Sequence, residues 1–346
     1  MEAYEQSIVF EMTGDNPYLF SQASSWQYGH SSSAWTQLVK GCFQRHAGVA
    51  CPPKLLRASF CTFLRAADGV DDELLSSLVR SFDEDGFICL ASLPPFDEKM
   101  VQRLREAADV NFEDCFRRLF DSGHISFPRY MYCNQDNGET EYAIPQGVRG
   151  GFREIVMRSP GRFEMPYGCL RQPFNDEAIV QNESLLRVVN ALFSGEEHYM
   201  CNVSIVYATP GSTDQAWHCD GGHINLQAHE RCHCFNVFVP LVDVNRSLGP
   251  TELRPGSHYL TRNLAPMVLA AKARGKLRSP VMPLLRAGSA LLFDYRVLHR
   301  GRANTSEVDR PILVMTFAKR TFKDRLNFPS KSINDCPPQH RDTRPT

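Results

Sequence analysis

No stretch of the 346-residue chain is apolar for long enough to span a bilayer. Met1 to Phe10 carries Glu2 and Glu5 where a secretory leader would carry basic residues. Neither sign of charge is in excess: 38 Lys and Arg face 39 Asp and Glu, a formal net charge of −1, so nothing pulls the chain generally toward nucleic acid or anionic lipid. The 12 cysteines include no Cys-x-x-Cys pair, which argues against a zinc finger or a dithiol redox motif. A Gly-x-Ser-x-Gly elbow and a phosphate-binding loop are both absent, which removes the commonest signatures of hydrolases and nucleotide enzymes. The C-terminus, Thr343-Arg344-Pro345-Thr346, matches no peroxisomal or retention signal. These absences lead us to expect a soluble, cytoplasmic protein with reduced thiols and no nucleic-acid or membrane partner. Its oligomeric state is not legible.

What is present centres on Trp217-His218-Cys219-Asp220-Gly221-Gly222. On extended backbone His218 and Asp220 share one face and can reach a single metal ion. About one His-x-Asp or His-x-Glu is expected by chance in a chain of this composition, so the spacing alone is weak. A rival pair, His340 and Asp342, lies in a Pro- and Arg-rich tail with no histidine after it. The pair at 218 and 220 is followed by a strand-like block and then by His299, the candidate third ligand. Two imidazoles and one carboxylate on one face, with other positions open, suit non-haem Fe(II). Cys219, His223, His229, Cys232, His233 and Cys234 form a second cluster, but their spacing is not that of a structural zinc site.

Residues 1–70 are uneven and read as an extension whose role is not legible. From Asp71 or Asp72 a helix carries Leu74, Leu78 and Phe82 and ends near Gly86; Phe87–Leu93 reads as a short buried strand. Apolar residues recur by fours from Met100 to Phe116, the signature of an amphipathic helix. Residues 121–175 are loop-rich, and the arginines at 149, 153, 158 and 162 read as a solvated face paired with Glu154 and Glu164 rather than a basic lid. A helix capped by Asn175 or Asp176 runs to Gly195. Strand-like runs follow at His198–Thr209, Arg231–Asp243, Met282–Leu285, Ala290–Leu298 and Ile312–Ala318, interrupted by one helical stretch over 264–273. Helices first and strands later predict an α+β fold: N-terminal helices flanking a jelly-roll core of about 198–320, within a domain of 71–330, followed by a tail of 331–346. Arg310, before the last strand, can offer a guanidinium to a carboxylate inside the barrel. Thr251 can donate a hydroxyl. His258 reads as a structural residue bonding within its own turn.

His218-x-Asp220, Pro255-Gly256-Ser257-His258, and His299-Arg300-Gly301 through Asn304-x-Ser306 to Arg310 resemble the phytanoyl-CoA dioxygenase family over roughly residues 75–330. The resemblance implies a cupin-like double-stranded β-helix and a dependence on Fe(II), 2-oxoglutarate and O2. It implies His218, Asp220 and His299 as iron ligands and Arg310 on the distal carboxylate of 2-oxoglutarate. Gln215 and Thr251 would also touch that cosubstrate. The implied reaction decarboxylates 2-oxoglutarate to succinate and CO2 while oxidising a small organic substrate: hydroxylation first, with desaturation, epoxidation or cyclisation as variants. Similar proteins that halogenate lack the carboxylate ligand, and Asp220 is present. The competing reading is a jelly-roll protein that binds metal or a small molecule without turnover.

Overall fold

The computed structural model describes residues 72–91, 95–133, 138–166, 172–263, 275, 277–325 and 327–335. The extension of 1–70, the helical stretch of 264–273 and the rival pair at His340 and Asp342 all lie outside the described residues. Helix α1 (Asp72–Asp85) buries Leu74, Leu78 and Phe82, the one stripe its spacing allows. It stops at Gly86, whose φ is +82°. A Cβ there would come within 2.4 Å of Val297 and 2.5 Å of His258, so only glycine fits. Helix α2 (Glu98–Asp121) is capped by Asp97, which accepts a hydrogen bond from the Met100 amide at 2.7 Å. The helix read after residue 175 is two: α3 (Glu177–Val180) and α4 (Glu183–Leu192). Asn182 breaks the run by accepting from the Leu185 amide as the cap of α4, a polar competition that apolar periodicity does not register. Among the described residues no helix is long and apolar enough to cross a membrane.

The strands are β1 (Phe87–Leu90), β2 (Met131–Cys133), β3 (Thr140–Tyr142), β4 (Val156–Ser159), β5 (Arg162–Pro166), β6 (His198–Ala208), β7 (Cys234–Pro240), β8 (Thr251–Leu253), β9 (Ala290–Asp294), β10 (His299–Gly301) and β11 (Arg310–Lys319). Seven form one antiparallel sheet in the order β1-β9-β7-β11-β6-β5-β4, and β8 pairs with β10 in a small facing sheet. This is the antiparallel, cupin-like double-stranded β-helix with few helices. The large sheet sorts its side chains by parity. Phe163, Ile205, Tyr207, Val237, Leu313 and Met315 face α2 and α4 in the main core. Phe112 of α2 stacks on Tyr207 at 4.2 Å and Phe116 meets Phe163 edge-on at 5.4 Å. Each such buried ring contributes about 1.5–3 kcal/mol. The alternate residues, among them Arg162, Val206, Asn236, Phe238, Arg310 and Thr316, line a cavity between the sheets.

Three local expectations change. Residues 156–166, read as loop, form β4 and β5 of the large sheet, with Gly161 at φ +72° turning between them. Met282–Leu285 is not a strand; only Val281 makes a bridge, to Leu253. Ala290–Leu298 is not continuous, because the chain turns after Asp294: the Val297 amide bonds the Asp294 carbonyl at 2.9 Å.

Candidate metal centre and its cavity

That turn positions the site. The Asp294 carboxylate accepts from the Arg296 amide, Nε and Nη2 at 2.8, 2.8 and 2.6 Å, locking the loop from within. Downstream, His299 pairs with Leu253 of β8 on one side and with His218 on the other, in reciprocal backbone bonds of 3.0 and 2.9 Å. The Tyr295 carbonyl takes the amides of Asp220 and Gly221 at 2.8 and 3.1 Å. One turn therefore fixes both His299 and Asp220. A Cβ at Gly221 would lie 2.8 Å from the Tyr295 ring, so this approach requires glycine.

His218, Asp220 and His299 converge, with one donor atom from each lying within 4.8 Å of the others. His218 Nε2 is 3.8 Å from Asp220 Oδ1, and His299 Nε2 is 3.6 Å from Oδ2. Each imidazole is oriented from behind: His218 Nδ1 donates to the Ala216 carbonyl at 2.9 Å and His299 Nδ1 to the Val297 carbonyl at 3.0 Å. Both Nε2 lone pairs then face the carboxylate. Burial, and then His299, lower the His218 pKa to about 4, so its ring is neutral at pH 7. Uncharged imidazole, as a donor with its lone pair free, is the form that binds a divalent cation. The donor set fits ferrous iron.

The other end of the cavity is cationic. Arg310 begins β11 and Arg162 begins β5, and both register against Ala208 of β6. Arg310 is 1% exposed, and its Nε and Nη1 have no hydrogen-bond partner. Burial, and then Arg162, hold its pKa well below the usual guanidinium value. Arg162 is lowered by burial to about 10. Its Nη2 donates to the Arg302 carbonyl at 2.8 Å, but its Nε is unpartnered. Among the described residues, buried donors without acceptors collect here, in a cavity of about 680 Å³. That volume suits a small molecule.

Gln215 and Thr251 also line this cavity. The Gln215 Oε1 already accepts the Gly301 amide at 3.0 Å, so part of that side chain is spent on the scaffold. Of the basic cluster, Arg158 pairs with Glu164 as expected, at 2.6 Å, and its guanidinium lies 5.5 Å from the centre of the Phe328 ring. Arg153 instead pairs with Asp335, and Glu154 takes the Ser332 hydroxyl and the Ile333 amide. Arg162 is buried rather than solvated. His258 is bonded elsewhere than expected: its Nε2 donates to the Asp83 carbonyl near the end of α1, 3.1 Å away, rather than within its own turn. The Cys219–Cys234 cluster does not converge; His218, Asp220 and His299 are the group that does among the described residues. Cys219 is a buried thiol whose pKa burial raises to about 12, and His223 bonds Thr261 at 2.9 Å.

Sequence reasoning missed Arg162, Asn236, Thr316, Asn327 and Phe328. For Asn236 and Thr316 there was a signal: each is a polar residue in the interior of a largely apolar strand, on the parity that faces inward. Asn327 and Phe328 belong to a C-terminal strap along the cavity. Asn327 Nδ2 donates to the Asp220 carbonyl at 2.9 Å and to Asp324 at 2.7 Å, and the strap's far end is fastened at Glu154.

Jelly-roll fold and donor set together are those of the non-haem iron, 2-oxoglutarate-dependent oxygenases. The chain belongs to the phytanoyl-CoA dioxygenase (PhyH) family, whose sequence model matches residues 82–312. It is 22% identical over 278 residues to the dioxygenase cdmD of Talaromyces verruculosus, covering 76% of this chain and 81% of that protein. Among solved structures it resembles AviO1 from Streptomyces viridochromogenes Tue57, with a TM-score of 0.50, 19% identity, and 74% of this chain and 98% of that one covered. The epimerase SnoN, solved with Fe3+, alpha ketoglutarate and nogalamycin RO, matches at a TM-score of 0.47 and 15% identity over 76% of this chain and 97% of that one.

Proposed function

We propose that the protein is a dioxygenase in which His218, Asp220 and His299 hold Fe(II) and Arg310 receives the distal carboxylate of 2-oxoglutarate, for oxidation of a C–H bond in a small organic substrate. The observation that carries this reading is the pairing, within one cavity, of a prearranged two-imidazole, one-carboxylate face with buried guanidinium donors that lack an acceptor. Iron, when bound, supplies the oxygen chemistry that couples decarboxylation of 2-oxoglutarate to substrate oxidation. The protein's residues do the positioning. Arg310, with Arg162 beside it, offers charge-assisted hydrogen bonds to a carboxylate and so sets where the keto-acid end lies relative to the triad. Gln215 and Thr251 add polar contacts on the same wall. Phe238 and Phe328 keep part of the cavity apolar, the side left for the substrate. Asp220 favours hydroxylation or its oxidative variants over halogenation. The curated relative cdmD is itself named a dioxygenase, which supports the class.

The test is succinate formation by purified protein given Fe(II), 2-oxoglutarate and O2. We expect slow turnover without added substrate, its loss in Asp220→Ala and His299→Ala, and its persistence in His340→Ala. Tight binding of metal and 2-oxoglutarate with no succinate in any preparation would assign the protein to the non-catalytic class instead.

A further inference from the structure

Asp220 is the least constrained of the three donors. It follows the His218 bridge at a bend rather than standing in a strand, and its side chain is 23% exposed. A carboxylate in that position can rotate away unless something holds it. Its carboxylate lies beside the two imidazoles and against Asn236. The Asn236 Nδ2 donates to Asp220 Oδ2 at 2.7 Å. Behind it, the Thr316 hydroxyl donates to Asn236 Oδ1, also at 2.7 Å. Asn236 on β7 and Thr316 on β11 are paired across the large sheet, and they are 5% and 1% exposed. Asn236 is the one polar residue of its strand, CFNVFVP, and Thr316 is the one polar residue between the terminal Arg310 and Lys319 of RPILVMTFAK.

The direction of this relay follows from chemistry. An amide has one acceptor end and one donor end, and a carboxylate only accepts. Turning the Asn236 amide over would set its oxygen against Asp220 Oδ2, acceptor to acceptor. It would also leave a buried polar atom poorly matched. The acceptor-only carboxylate therefore fixes which end of the amide faces it, and the Thr316 hydroxyl, donating to the other end, holds the amide in the plane that presents Nδ2 to Asp220 Oδ2. Resting on the proposed metal site, we infer that Asn236, oriented by Thr316, is a positioning residue for Asp220. The relay holds the carboxylate in its coordinating orientation before metal arrives. A neutral donor does this without cancelling the negative charge that the cation needs, as an arginine would.

The measurement is Co(II) binding to the metal-free protein, followed by calorimetry and by the visible absorption of bound Co(II), with thermal melts to confirm folding. Removing an outer hydrogen-bond partner of a ligand costs roughly 10–100-fold in metal affinity. We expect a loss in that range for Asn236→Ala, together with an altered Co(II) spectrum. Thr316→Val keeps the shape of the side chain but removes the proton, and we expect a smaller weakening in the same direction. Thr316→Ser keeps the hydroxyl, and we expect near-wild-type affinity and spectrum. A purely packing role for Thr316 reverses that order, because valine fills the space and serine does not. Wild-type affinity and spectrum in both Asn236→Ala and Thr316→Val overturn the inference. His299→Ala serves as the separate control: if it binds Co(II) as well as wild type, the metal site itself is misplaced, whatever the Asn236 variants do. Should Asn236→Ala fail to fold, the Thr316 valine and serine pair decides the question.

Discussion

Arg296 and Arg310 are each 1% exposed, yet they live in opposite circumstances. Arg296 spends its guanidinium on Asp294 and on the Glu230 carbonyl at 2.9 Å. Burial disfavours its charge, but the Asp294 hydrogen bonds override that, and its pKa is raised. Arg310 has no such carboxylate; burial and then Arg162 push its pKa down, and two of its nitrogens are left without acceptors. Uncompensated buried charge is costly, so a fold that tolerates it has a reason outside its own contacts. Arg296 completes the turn that presents His299. Arg310 has buried donors left over, and on the proposed function these are what the cosubstrate carboxylate meets. The difference separates an arginine satisfied by its own fold from one that is not, without reference to any relative.

The contrast can be broken by experiment. Asp294→Ala strands Arg296 with its charge buried, and we expect a loss of about 3–5 kcal/mol in urea unfolding, the largest effect among these variants. Acid should act next. His223, His233 and His258 pack near the same ion pair, and burial holds their pKa values down to about 3, 4 and 4. They are neutral when folded and bind protons on unfolding below about 6.5, so the stability they contribute is complete above that pH. It falls as the pH drops from there toward 4, by on the order of 1 kcal/mol per ring for each pH unit. Burial opposes the Asp294 charge but Arg296 holds its carboxyl below the ordinary range, so that pair survives to stronger acid. Unfolding free energy measured at pH 7, 6 and 5 checks the slope; a flat profile removes the histidines from the account. Arg310→Met should change stability least, by about 1 kcal/mol or less and in the stabilising direction, because it deletes an unpaired buried charge. The same variant should raise the 2-oxoglutarate concentration needed for half-maximal succinate formation by at least tenfold. A destabilised Arg310→Met with unchanged cosubstrate dependence would make the two arginines alike.

The sequence made α1 and α2 legible because burial every fourth residue is a local signal, and the long strands β6, β7 and β11 because β-branched and aromatic residues are frequent along them. The convergence of residues 218, 220 and 299 could be anticipated because alternation and strand order are topological. Strands β4 and β5 were not visible: they are four and five residues long, carry Arg158 on β4 and Arg162 and Glu164 on β5, and join the sheet only because β5 pairs with β6 and β4 with β5. The break after Asp294 escaped notice because it depends on a side chain folding back onto its own backbone. Arg162 was read as solvated because charge in a short loop-like stretch is usually exposed. Only its register opposite Ala208 turns it inward.

The strap carrying Asn327 and Phe328 lies past residue 312, where the match to the family model stops. One boundary of the cavity is thus written in a part of the chain that the family pattern does not specify. One anchor is the main-chain oxygen of Asp220 and others are Glu154 and Arg153, so the tail is stitched both to the convergent triad and to the segment just before β4. On the proposed function, two members that share the triad but differ in this tail would admit different molecules.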